Sequence, residues 1–143
     1  YKWLNKNHKK FLSILVETPT SSIKNINDVE WLSCIDKINN ISNIQVAYYL
    51  PTKKISECSK INYKLKNCRE TKSSIIKFLA RSKINLITFD YSGYNFVKNQ
   101  KEFEKFKWNI WHLNSVKDVT EIMQRENIGI VLLRNDKFFN NLN

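Results

Sequence analysis

The sequence predicts an α/β domain built on a five-stranded parallel sheet, doubly wound, with helices on both faces. Three observations predict it. Five short apolar segments alternate with segments whose apolar residues recur at helical spacing. The apolar segments are nearly continuous, as strands buried on both faces are. The length, 143 residues, is that of one domain able to bury a core without a metal or disulfide staple.

The elements follow in chain order. Residues 1–10 (YKWLNKNHKK) are basic with interleaved aromatics and read as an arm or an incoming helix. FLSILVE (11–17) is a short apolar strand ended by Glu17 and Pro19. After a polar loop, Trp31, Ile35 and Ile38 recur at helical spacing, with Leu32 alongside, which predicts a helix over 28–41. IQVAYYL (44–50) is a β-branched and aromatic strand stopped by Pro51. Residues 51–70 carry Lys53, Lys54, Lys60, Lys64, Lys66 and Arg69 against Glu57 and Glu70, and read as a basic loop or insertion. Helix 71–82 turns Ile75, Ile76 and Leu79 inward, and strand 84–89 follows. Helix 94–106 carries Phe96, Phe103 and Phe106, and strand 108–113 follows it. Helix 115–126 repeats Val116, Val119 and Met123 before strand 128–133. A short C-terminal helix is predicted from near Asp136.

Five parallel strands of this length fit a domain of flavodoxin type, and such sheets bind ligands at the carboxyl ends of their strands. The residues there are Glu17 and Thr18, Pro51 and Thr52, Asp90, Asn114 and Ser115, and Arg134 with Asn135.

Composition narrows the function classes. With 24 Lys and Arg against 13 Asp and Glu, the net charge is +11, which favours acidic partners such as nucleic acid. No apolar run is long enough to span a bilayer, and no signal peptide is recognisable. Tyr1 rather than Met opens the chain, so it reads as an excerpt or a processed product. Cys34, Cys58 and Cys68 form no zinc-type spacing with His8 and His112, and read as reduced thiols of a cytoplasmic protein. A Cys58–Cys68 bridge is the alternative. The motifs GxxxxGK[ST], GxGxxG, HExxH and GxSxG are all absent.

The strand ends SILVE (17), LITFD (90), IWHLNS (115) and GIVLLR (134), taken together, resemble the receiver domain of bacterial response regulators. The resemblance implies Asp90 as the acceptor of a phosphoryl group, Ser115 as the hydroxyl that senses it and Arg134 in the place of a lysine. It implies Mg²⁺ held by Glu17 and Asp90, since Mg²⁺ takes oxygen ligands. A carboxylate attacks phosphorus when a cation screens it and donors receive the phosphate oxygens. The pattern departs from the family in having one acid, Glu17, where the first strand ends in a pair, and Asn135 where proline is usual. A second resemblance is local. WNIWHLNSVKDVTEIMQRENIGIVLL resembles the last βαβ unit of glycerophosphodiester phosphodiesterases, which implies that the chain forms half of a barrel.

Each singled-out residue also has a purely structural role open to it. Ser115 begins SVKD, a capping-box pattern. Asp90 can satisfy backbone donors in a βα turn. His112 lies within an apolar strand and reads as a satisfied core or half-buried histidine, and Trp108 and Trp111 read as core. The leading expectation is a receiver-like signalling domain that binds a protein partner, an interaction role rather than an enzyme. The alternatives are a nucleic-acid-binding module using the lysines of 51–70 and Arg69, and an enzyme domain of phosphodiesterase or nuclease type.

Overall fold

The computed structural model describes residues 2–10, 13–18, 28–60 and 71–133. Among them the class expected from the sequence is present: an α/β domain with a five-stranded, all-parallel sheet flanked by helices. The strands are β1 (Ile14–Thr18), β2 (Ile44–Tyr49), β3 (Leu86–Asp90), β4 (Lys107–Leu113) and β5 (Ile128–Leu133). The helices are α1 (Lys2–Asn7), α2 (Val29–Asn39), α3 (Thr52–Lys60), α4 (Lys72–Ser82), α5 (Tyr94–Lys98), α6 (Lys101–Glu104) and α7 (Val116–Met123). No helix among the described residues is long and apolar enough to cross a membrane.

The strand order is β1-β2-β3-β4-β5. The flavodoxin order is 2-1-3-4-5, so this sheet shares the class and differs in the place of β1. The order has a consequence for covering. Each connection steps to the next strand in the same direction, and right-handed crossovers then deposit every helix on the same side. The core follows that rule. Ile44, Val46, Tyr48, Ile87, Phe89, Trp108 and Ile110 cluster with Ile35, Ile38, Ile55, Ile75, Phe78, Leu79, Val97, Phe103 and Ile122 from the helices. Helices on both faces presume a reversal in strand order, which this sheet lacks. The second resemblance, to part of a barrel, implies consecutive βα units of this sequential kind.

The opposite face carries the residues that alternate with these. In register across the sheet it holds Glu17 and Ala47, Tyr49 and Thr88, then Asn109, Trp111, Ile130 and Leu132. Tyr49, Ile130 and Leu132 are exposed there, whereas Thr88 and Asn109 are buried. Asn109 accepts the Ile130 N–H at 2.8 Å through Oδ1. A Cβ at position 129 would stand 2.6 Å from that oxygen, so Gly129 is the residue that lets β5 approach it.

Local chemistry explains the helix starts. Asp28, Thr71 and Ser115 cap α2, α4 and α7 by accepting the N–H groups of Trp31, Ser74 and Asp118. Ser115→Ala is therefore expected to cost about 1 kcal/mol, read as a lower urea midpoint with an unchanged slope. The expected helix over 94–106 is two short pieces, α5 and α6, interrupted at Asn99 and Gln100. The expected basic loop begins instead with helix α3. Only Ile55 of that helix enters the core, so the apolar period that marks a helix is faint there. Residues 2–10 are helical, an α-helix followed by a 3₁₀ turn, and Asn43 anchors their end by donating to the His8 carbonyl at 2.7 Å.

The reading of all three cysteines as reduced is corrected. Cys34 is free, but Cys58 is disulfide-bonded. Cys68, Lys64, Lys66, Arg69, Arg134 and the C-terminal helix expected from Asp136 lie outside the described residues.

Candidate functional site

Parallel strands present their carboxyl ends at one rim, and the described candidates gather there. Glu17 and Asp90 both line a cavity of about 520 Å³, with Tyr49, Pro51, Thr52, Lys53, Lys54 and Ser92. Glu17 comes from β1 and Asp90 from β3, two strands apart. Ala47 of β2 stands between them in register with Glu17, and its small side chain leaves the Glu17 carboxylate room to lean across β2. There it accepts a hydrogen bond from the Thr88 hydroxyl of β3.

Asp90 holds two roles at once. Its Oδ1 accepts the Ser92 N–H at 2.9 Å and so caps the single 3₁₀ turn Tyr91–Gly93. Its Oδ2 lies 2.6 Å from Nδ1 of His112. Partial burial pushes the Asp90 carboxyl up, but hydrogen bonds from His112 and Ser92 outweigh it and hold the group below its ordinary value. The carboxylate is thus ionised at neutral pH and only accepts. Nδ1 of His112 therefore carries a proton, and Nε2 is the nitrogen left to take up or release one.

His112 was expected as a core or half-buried histidine and is exposed. The cause is local. The pairing of β4 with β5 shifts register between Trp111 and Leu113, and His112 adopts φ 63°. This is a bulge whose extra residue sits in the left-handed region, where a side chain bearing Cβ is strained. The bulge lets Leu113 return to the core, fully buried, while the imidazole turns out toward Asp90. Strain of this kind is retained where surrounding structure enforces it and concentrates at functional positions. Trp111, also expected in the core, is half-buried on the open face beside Asp90. Trp108 is core as expected.

Ser115 does not join this group. Its hydroxyl accepts the Asp118 N–H at 3.1 Å and caps α7. Glu17 and Asp90 are the two carboxylates named for Mg²⁺. Each already has a partner, and no group of three or more His, Cys, Asp or Glu among the described residues could hold a metal ion. Of the basic residues named for nucleic acid, Lys53 and Lys54 border the cavity, and Lys60 ends α3.

The far side of the Asp90 turn is held by Tyr91, which donates to Asp118 at 2.9 Å and stacks on Tyr94 at 5.6 Å. Burial and then the Asp118 carboxylate push the Tyr91 phenol up to about 12. Because the folded value lies above the ordinary 10.0, this stabilisation is complete below the unfolded value and is lost as pH rises through the folded one. Tyr91→Phe is expected to flatten that alkaline loss, measured by urea midpoints at pH about 9 and about 11.5.

No protein-family model, curated protein or solved structure matches the chain. Nothing in these comparisons identifies a receiver-like domain.

Proposed function

We propose that the domain is a hydrolytic enzyme module of the phosphodiesterase or nuclease type, with His112 as its acid–base group and Asp90 as the residue that orients it. The observation that carries this reading is the 2.6 Å contact between the Asp90 carboxylate and a His112 held at φ 63°. A carboxylate behind an imidazole sets its tautomer and stabilises the imidazolium formed when it takes a proton. The pair stands at the carboxyl ends of parallel strands, where enzymes of this class place their chemistry. His112 is solvent-accessible, and Asp90 separates it from a cavity of substrate size.

The reading displaces phosphoacceptance for a physical reason. Both oxygens of Asp90 accept hydrogen bonds, one of them toward His112, which favours the orienting role over phosphoacceptance. The test is a chromogenic panel of a carboxylic ester, a phosphate monoester and a phosphodiester, run with and without added Mg²⁺. Turnover by the parent that disappears in His112→Gln supports the reading. Turnover equal in parent and variant, or absent for every ester, overturns it.

A further inference from the structure

We propose that Tyr49 and Trp111 are base-stacking platforms on either side of the His112–Asp90 pair, so that the rim takes a single strand of nucleic acid with its scissile linkage between two splayed bases. This rests on the reading of the rim as catalytic, and it deepens that reading by naming the substrate class. The two rings share one sheet face. Tyr49 stands in register with Thr88 on β3, and Trp111 with Asp90 two residues further along. Residues two apart on a strand face the same way, so Tyr49 of β2 and Trp111 of β4 flank the end of β3 that carries Asp90. Their strands lie two spacings apart, about 10 Å. Tyr49 also lines the rim cavity with Asp90, and the Trp111 ring lies 6.3 Å from the His112 imidazole.

The core does not consume either ring. The sequential strand order puts the crossover helices on the other face. Tyr49 is therefore left 39% exposed and Trp111 half-buried, with Ile130 and Leu132 exposed on the same face. By contrast the neighbouring aromatics are engaged: Phe89 and Trp108 are fully buried, and Tyr91 stacks on Tyr94. Apolar side chains gathered in the open on one face mark a binding surface.

Charge selects the occupant. The chain carries a net +11, and exposed Lys53 borders the cavity beside Tyr49, which favours a polyanion. The two carboxylates nearby are already partnered, Glu17 by Thr88 and Asp90 by His112. A polyanion that also offers flat rings is a nucleic acid, and every base has a face that an aromatic side chain can stack on. In a duplex those faces are spent on neighbouring bases, so the rings select a single strand whose bases splay apart. The linkage between two such bases is a phosphodiester. In its hydrolysis water attacks phosphorus and gives a proton to Nε2 of His112. The P–O bond to the leaving nucleoside breaks, and His112 returns the proton to that oxygen.

The experiment titrates the full chain into a labelled single-stranded oligothymidylate, an abasic strand of equal length and a duplex of that length, read by fluorescence anisotropy. The parent is expected to bind the oligothymidylate at low salt, more weakly as salt rises, and to bind the abasic strand and the duplex more weakly. Tyr49→Ala and Trp111→Ala are each expected to weaken oligothymidylate binding about tenfold and to leave the abasic strand's affinity unchanged. Tyr49→Phe and Trp111→Phe keep a flat ring and are expected to keep binding, which separates loss of the platform from loss of fold. His112→Gln is expected to bind like the parent. No binding by the parent, an abasic strand bound as tightly as the oligothymidylate, or affinity unchanged in both alanine variants overturns the platforms. The two proposals fail separately. Ester turnover that depends on His112 without base-dependent binding removes the platforms alone. Base-dependent binding without turnover of any ester removes the catalytic reading alone.

Discussion

Replacing His112 by glutamine is expected to lower turnover by about 10²–10⁴-fold, the range in which a positioned acid–base group contributes. Glutamine is close in reach to the imidazole and can still donate to Asp90, but it cannot exchange a proton. Asp90→Asn is expected to lower turnover as well, because the amide can no longer hold the Nδ1-protonated tautomer. The size of the combined loss discriminates further. If the two residues act as a unit, the double variant should be little worse than His112→Gln. Multiplying losses would mean that they act independently, and the orienting role of Asp90 would be discarded. His112→Gly adds a stability readout. Glycine adopts φ 63° without the strain of a Cβ, so this variant is expected to be inactive yet more stable by about 1 kcal/mol. An inactive but destabilised glycine variant would show that the imidazole serves the fold.

The same pair has an acid limb whose sign is fixed. The Asp90 carboxyl lies below its ordinary value in the folded protein. Its contribution is therefore present above the unfolded value and is lost as pH falls through the folded one. Asp90→Asn is expected to abolish that part of the acid dependence while leaving the alkaline limb of Tyr91 in place.

The largest stability effect is expected at Trp108. Its ring is fully buried and its indole N–H donates to the Phe103 carbonyl at 2.9 Å. Phe89 and Tyr94 meet it edge-on at 5.7 and 6.4 Å, and the Arg125 guanidinium lies 4.9 Å from its centroid. Trp108→Ala would open a cavity under β3, α5 and α6 together and remove the indole donor from the Phe103 carbonyl. A loss of about 3–5 kcal/mol is expected, a large share of the stability of a small domain. Chemical denaturation measures it. A loss below about 1 kcal/mol, the level of many surface changes, would contradict this account of the core. Trp108→Phe keeps the ring but not the N–H donor, and is expected to fall between the two.

What the sequence by itself determined is the local order of the chain. Five strands and most of the helices stand where apolar period and capping residues place them. Ser115 is the clear instance: SVKD reads as a helix start, and the hydroxyl caps α7. The sequence also put Asp90 at a strand end and Glu17 on the same rim. Those readings use only neighbours in the chain, and periodicity and capping are chain-neighbour effects. Helix α3 escaped because burying Ile55 alone leaves little period to detect.

Only the tertiary structure decided the strand order and the partner of Asp90. The pattern of alternating strands and helices is the same for β1 at the edge and β1 inside, since pairing joins residues far apart in sequence. His112 carried one visible signal, a histidine in an apolar strand, which a core position would equally explain. The bulge that turns it outward arises from the mismatch between β4 and β5. Its carboxylate partner comes from β3, 22 residues away in the chain. Neither cause leaves a local pattern, because each exists only once the strands are laid side by side.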